Sequence, residues 1–82
     1  MKNINIELRL FAYLRELLPS ESRGLKKIKI KDNLTIDKLM DEIGIVEKEI
    51  MIVMINGLRK LDYSKTMNEG DRVAIFPPVG GG

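Results

Sequence analysis

Six consecutive apolar residues, Ile50-Met51-Ile52-Val53-Met54-Ile55, end abruptly in Asn56-Gly57. A run of this length suits a strand buried on much of both faces. Asn-Gly is the dipeptide that best accepts the positive φ values of a two-residue hairpin turn, so the chain is expected to reverse there and return along residues 58–61. A strand of this kind cannot stand alone. The rest of the sequence must supply apolar faces to cover it.

Residues 4–10 supply one. Ile4, Ile6, Leu8 and Leu10 alternate with Asn5, Glu7 and Arg9, the period of a half-buried strand. At Phe11 the period changes. Phe11, Leu14, Leu17 and Leu18 fall at helical spacing before Pro19-Ser20, which predicts a short helix followed by a polar loop ending in Gly24. Residues 25–31 alternate again, Ile28 and Ile30 inward and Lys27, Lys29 and Lys31 outward, and predict a strand antiparallel to the first. Thr35 is placed to cap a helix, with Asp37 in its first turn. Ile36, Leu39, Met40 and Ile43 form one apolar stripe, and Gly44 stands where a left-handed terminal cap is needed. A last strand runs from Arg72 to Phe76 and stops at Pro77-Pro78, because proline cannot donate to a ladder. These faces are satisfied by an α+β domain with a mixed four- to five-stranded sheet, one main helix on one face and a short second helix. The domain is expected over residues 1–78, with residues 79–82 a flexible glycine-rich tail.

What the chain lacks narrows its chemistry. Its 82 residues contain no cysteine and no histidine. Disulfides, thiolate nucleophiles, the usual zinc ligands and the commonest general base are therefore absent. No bound metal or cofactor is expected, and no side chain is equipped for catalysis by this protein alone. A net charge of +2 is too small for a nucleic-acid tail. No apolar run reaches the length of a membrane span and the first residues are polar, so no membrane association and a cytoplasmic location are expected.

The tail Val79-Gly80-Gly81-Gly82 carries the most information. Three successive glycines arise by chance about 3 times in 10,000 at ordinary glycine frequency. Without Cβ atoms they can thread a channel too narrow for other residues. Four residues beyond Pro78 reach roughly 13–14 Å when extended, and the two prolines stiffen the base of the arm. A terminal carboxylate becomes a good electrophile once adenylated. A sulfur nucleophile then yields a thiocarboxylate, and an amine yields an isopeptide. Either outcome asks only for an uncluttered terminus. The competing account is an idle end.

Other features have bland readings that weigh against function. Lys26, Lys27, Lys29 and Lys31 fit the solvated face of a strand better than a nucleic-acid track, given only two Phe and two Tyr. Met40, Met51, Met54 and Met67 fit core filling better than an adaptable binding surface. Phe76 fits equally well as a core residue and as an exposed anchor for a partner.

The stretch Gly70-Asp71-Arg72-Val73-Ala74-Ile75-Phe76-Pro77-Pro78-Val79-Gly80-Gly81-Gly82 resembles the end of the MoaD family, the small subunits of molybdopterin synthase within the MoaD/ThiS superfamily. Phe11-Ala12-Tyr13-Leu14-Arg15-Glu16-Leu17 resembles that family's Phe-Ala-x-φ-Arg-Glu-Leu, where φ is apolar, and Asn56-Gly57 falls at its hairpin. The resemblance implies a β-grasp, ubiquitin-like fold. It implies ATP-dependent adenylation of Gly82 by a MoeB-type enzyme, sulfur transfer from a donor protein, and a Gly82 thiocarboxylate. Gly81 would give clearance in the channel of a MoaE-type large subunit, in a heterotetramer that builds the molybdopterin dithiolene. Phe11 and Phe76 match positions facing that subunit, with Pro77, Pro78, Val79 and Gly80 leading into it. Leu58 lies near another such position, in a hairpin one residue shorter than the family's. A ThiS-type carrier of another pathway and a lysine-conjugated modifier remain the alternatives.

Overall fold

The structure, a computed structural model, describes residues 2–78. The tail residues Val79, Gly80, Gly81 and Gly82 lie outside the described residues.

Strand β1, Asn3–Leu10, buries Ile4, Ile6, Leu8 and Leu10 and turns Asn5 and Arg9 to solvent, as its alternation requires. It pairs antiparallel with β2, Leu25–Lys31, in the register Ile4↔Ile30 and Ile6↔Ile28. Helix α1, Ile36–Ile43, starts at Thr35, whose Oγ1 accepts from the Lys38 amide at 3.3 Å. It ends at Gly44, with φ +107 and its amide bonded to Met40 and Asp41 carbonyls. Strand β3, Ile52–Ile55, turns through Asn56 (φ +53) and Gly57 (φ +84) into β4, Leu58–Lys60. Strand β5, Arg72–Phe76, closes the sheet.

The strand order is β2-β1-β5-β3-β4. The central strand β5 runs parallel to its neighbour β1, and every other pairing is antiparallel. One main helix packed across a mixed five-stranded sheet of this order is the β-grasp, ubiquitin-like architecture. Ile36, Leu39 and Met40 of α1 meet Ile6, Leu8, Val53, Val73 and Ile75 in a single core. Each such side chain contributes roughly 1.5–3 kcal/mol when fully buried. No helix is long and apolar enough to cross a membrane among the described residues.

The expected short second helix is the 3₁₀ helix Ala12–Leu17, in which only Leu14 is buried, and three other local expectations need correction. Ala12 enters that helix with φ +52, which breaks the helical spacing assumed from Phe11 onward. The polar loop before Gly24 contains a 3₁₀ turn, Ser20–Ser22. The apolar run 50–55 is not a strand covered on both faces: Ile50 belongs to the turn Lys48–Ile50, and β3 buries Val53 and Ile55 while Ile52 and Met54 are half-buried on the open face. Met54 is therefore not core filling, although Met40, Met51 and Met67 are.

Candidate functional site

The parallel pairing of β1 and β5 decides where the tail begins. With Leu10 opposite Ile75, both strands finish at the same edge of the sheet. The ladder extends one step further, the Phe11 amide donating to the Ile75 carbonyl at 3.2 Å. Leu10 and Ile75 point into the core, so Phe11 and Phe76 point to the open face. Their rings stack there, centroids 4.2 Å apart and planes inclined by 13°.

The backbone turns sharply just beyond that stack. Phe11 is extended (φ −113, ψ 158) and Ala12 is left-handed. This conformation costs a non-glycine residue roughly 1–2 kcal/mol, so the surrounding contacts must impose it. Gly24 helps from the other side. Its carbonyl accepts from the Leu10 amide at 2.7 Å. A Cβ at Gly24 would lie 2.6 Å from the Leu10 carbonyl oxygen, and φ there is +81, so only glycine lets the loop close on the end of β1.

An apolar groove of about 610 Å³ results. Phe11 and Phe76 form one wall, Ile52 and Met54 from β3 the other, and Pro77 and Pro78 continue the surface toward the tail. Ile52 lies opposite Phe76, and Met54 opposite Ala74. Pro77 is buried and Pro78 half-buried, so the base of the arm is packed against the domain. Tyr13, 58% exposed, stands at the lip.

The structure thus brings together Phe11, Phe76, Pro77 and Pro78. It separates Leu58 from them. The two-residue turn pairs Leu58 with Ile55, a core-facing position, so Leu58 sits on the helix side of β4 with 66% of its surface exposed. Ile52, Met54, Ala12 and Tyr13 were not among the residues expected at the site. Proposed positions Val79, Gly80, Gly81 and Gly82 lie outside the described residues.

Other parts of the C-terminal motif have structural work. Asp71, 8% exposed, accepts from Asn56 Nδ2 at 2.9 Å and from the Asn68 amide at 2.8 Å. Asn56 Oδ1 in turn accepts from the Arg72 amide at 3.0 Å. Gly70-Asp71 and Asn56-Gly57 therefore hold each other, at the end of the sheet away from the Phe11–Phe76 stack. The resolved acid–base shifts also lie away from it. Lys48 bonds Asp37 and Asp41, which raises its pKa and lowers that of Asp41. Hydrogen bonds from Ser64 lower that of Asp62. No cluster of acidic side chains suited to a metal ion is present among the described residues.

A stacked aromatic pair, a proline arm and a glycine end now stand on one β-grasp domain. The ThiS family model matches residues 8–82, including the arm and the glycines. The chain belongs to the ThiS family. Members of this MoaD/ThiS group are ubiquitin-like sulfur carriers. No curated protein matches the sequence. Among solved structures, the ThiS-family chain is similar to the small archaeal modifier protein 1 of Haloferax volcanii, with 20% identity, 93% of this chain and 99% of that chain covered, and a TM-score of 0.71. It is similar to a putative molybdopterin converting factor subunit 1 from Pyrococcus furiosus, with 22% identity, coverage of 93% and 99%, and a TM-score of 0.69. It is also similar to a chain in the complex of subunits 1 and 2 of molybdopterin-converting factor from Helicobacter pylori, with 23% identity, coverage of 96% and 100%, and a TM-score of 0.58. At these identities the likeness establishes the fold.

Proposed function

We propose that this chain is the sulfur-donating small subunit of a molybdopterin synthase, acting in the cytoplasm with no bound cofactor. The observation that carries the reading is the Phe11–Phe76 stack beside Pro77-Pro78, an apolar docking surface set at the root of the glycine tail. A MoeB-type enzyme would use ATP to adenylate the Gly82 carboxylate, releasing pyrophosphate. A persulfide on a sulfur donor protein would then displace AMP to give an acyl disulfide, and a thiol would cleave its S–S bond, releasing the thiocarboxylate and leaving the donor sulfur and that thiol joined as a disulfide. In the complex with a MoaE-type large subunit, the thiocarboxylate sulfur would replace an oxygen leaving group on a side-chain carbon of the pterin precursor, and hydrolysis of the thioester so formed would leave the sulfur on the pterin and return the carboxylate. The chain itself supplies no acid, base or metal to these steps. It supplies a narrow terminus and a surface that holds it in place.

The energetics favour that division. Ordering four tail residues in a channel costs about 1–2 kcal/mol each. The glycines have no side chains with which to recover it, so the apolar groove must provide the compensating contacts. The complex of subunits 1 and 2 in a protein of the same fold supports a larger partner of this kind.

Intact mass spectrometry tests the reading. Incubation with the activating enzyme, ATP and a sulfur donor should add the mass difference between sulfur and oxygen, and deletion of Gly82 should abolish the shift while leaving the thermal melt unchanged. A carrier that never gains that mass, or a truncated chain that stays fully active, ends the proposal. The modifier reading, favoured by the likeness to a small archaeal modifier, instead predicts heavier adducts joined through Gly82 to lysine. Dithiolene formation with the large subunit and pterin precursor separates this pathway from a ThiS-type one.

A further inference from the structure

The two edges of the sheet are unlike each other. At one edge, β4 is three residues long. At the other, β2 runs seven residues in an unbroken register with β1 and contains no proline. Proteins blunt such edges with short strands, proline, bulges, a covering segment or charge. Among the described residues β2 has only charge: Lys26, Lys27, Lys29 and Lys31, with no acidic residue in the strand. None of these four lysines forms an ion pair among the described residues, and Glu7, the one acid in β1, meets Arg9 instead.

The hydrogen bonds to β1 decide which backbone groups of β2 are open. The Leu10 amide donates to the Gly24 carbonyl and the Asp32 amide to the Lys2 carbonyl. Both pairs continue the register of Ile4↔Ile30 and Ile6↔Ile28, so the even-numbered residues of β2 exchange hydrogen bonds with β1. The odd-numbered residues turn their amides and carbonyls away from the sheet. The Lys31 carbonyl is taken by the Leu34 amide at 3.1 Å. Lys27 and Lys29 keep both groups open among the described residues. Their side chains stand on the open face, opposite Glu7 and Asn5. Ile28 and Ile30 alternate with them and pack on the helix side. There a cleft of about 320 Å³ lies between β2 and α1, lined by Asn3, Lys29, Ile30, Lys31, Leu34 and Glu42.

We propose that β2 is a docking edge for an extended acidic segment of a protein partner, which adds to the five-stranded sheet as a further strand. Lys27 and Lys29 set its pattern. Residues opposite them share the open face and are carboxylates. The residue between, opposite Ile28, lies on the helix side and is apolar, as is the one opposite Ile30. The occupant is therefore a strand of alternating acidic and apolar residues. A second copy of this chain does not fit, because two β2 strands side by side would set lysine against lysine. The same charge that closes the edge to its own kind leaves it open to carboxylates. The edge lies one strand outside β1, on the opposite side of the sheet from β3 and β4. The inference does not depend on sulfur carriage.

Amide hydrogen exchange on the complete chain, read by NMR, tests the proposal. In the free chain the Lys27 and Lys29 amides should exchange fast beside protected Ile28 and Ile30. An end-blocked Asp-Ile-Glu-Val-Asp-Val peptide should slow both amides by about 10-fold or more at saturation. The isomer Asp-Asp-Glu-Ile-Val-Val, with the same charge and no alternation, should not. Lys29→Glu should weaken the alternating peptide about 10-fold and raise affinity for its Lys-Ile-Lys-Val-Lys-Val counterpart, a gain that a misfolded variant would not show. Lys38→Ala, on α1, should change neither. Amides of Lys27 and Lys29 that stay unprotected in the saturated complex, equal binding of the two isomers, or parental affinity in Lys29→Glu would each overturn the proposal. So would no binding at about 1 mM peptide, or tighter binding of a short DNA duplex at about 0.15 M salt. Protection of both amides in the free chain that grows with protein concentration would put a second copy on the edge and overturn it as well.

Discussion

Asn56 and Asp71 clasp side chain to side chain at 2.9 Å, tying the β3–β4 turn to the turn that launches β5. Asp71 is buried and both of its carboxylate oxygens are occupied. Replacing it with alanine strands the Asn56 side-chain amide and the Asn68 amide. Asp71→Ala should cost about 2–3 kcal/mol, or roughly 10–20 °C of melting temperature in a domain of this size. Well below its melting temperature, the variant should still accept sulfur at Gly82 at the parent rate. Loss of loading in a fully folded Asp71→Ala chain would show that this part of the motif has a direct functional role.

Ala12 offers the opposite sign. Its φ of +52 is unfavourable for alanine and free for glycine. Ala12→Gly should stabilise the domain by about 0.5–1 kcal/mol after the extra unfolded-state entropy of glycine is subtracted. Ala12→Val should destabilise it by more than that, because branching at Cβ worsens the same clash. Urea denaturation of the two variants reads both signs. A destabilised glycine variant would mean that the left-handed turn is not strained.

Phe76 should separate folding from docking. Its ring is half-buried and its main contact is Phe11. Phe76→Ala should lose about 1–2 kcal/mol of stability, the worth of an aromatic pair with partial burial. Affinity for the large subunit should fall by about 30-fold or more, as expected of an aromatic anchor. Calorimetric titration at a temperature where the variant is folded measures the second effect free of the first. A stability loss with unchanged affinity would make Phe76 a packing residue.

The Lys48 bridge predicts a pH window. Asp41 has a pKa below its ordinary 3.8, chiefly through the hydrogen bond from Lys48, so its contribution is present above that value and fades as pH falls through the depressed one. Lys48 has a pKa above its ordinary 10.5, first through Asp37 and then Asp41. Its contribution is complete below that value and is lost as pH rises through the raised one. Lys48→Met should therefore narrow the stability difference from the parent at both extremes and show it most between them. Salt should shrink the difference, since the groups are solvated. A pH-independent difference between the two chains would assign the effect of Lys48 to packing.

Much of the fold was legible because its signals are local. Thr35 and Gly44 marked both ends of α1 by their capping chemistry, and Asn56-Gly57 marked its turn by backbone preference. Alternation in residues 4–10 and 25–31 gave both strands and their pairing. The adjacency of β1 and β5 left no such mark, because parallel neighbours far apart in sequence share no turn. Ile52 and Met54 were hidden for a different reason. Apolar residues left on an open sheet face look the same in sequence as apolar residues that enter a core. Ala12 carried no sign of its left-handed turn, since tertiary contacts rather than side-chain type impose it. Leu58 resembled a docking position by alignment, yet pairing with Ile55 turns it to the other side of the sheet.

The parallel run of β1 beside β5 also fixes the polarity of the whole molecule. Asn3 begins β1 at the end of the sheet away from Phe76, and the eight residues of β1 separate the two, roughly 23 Å at strand rise. Whatever is joined ahead of Asn3 hangs from one pole, and the proline arm leaves from the other. An affinity handle, a fluorophore or a surface tether placed at the start of the chain should leave sulfur loading undisturbed, and the same attachment after Gly82 should block it.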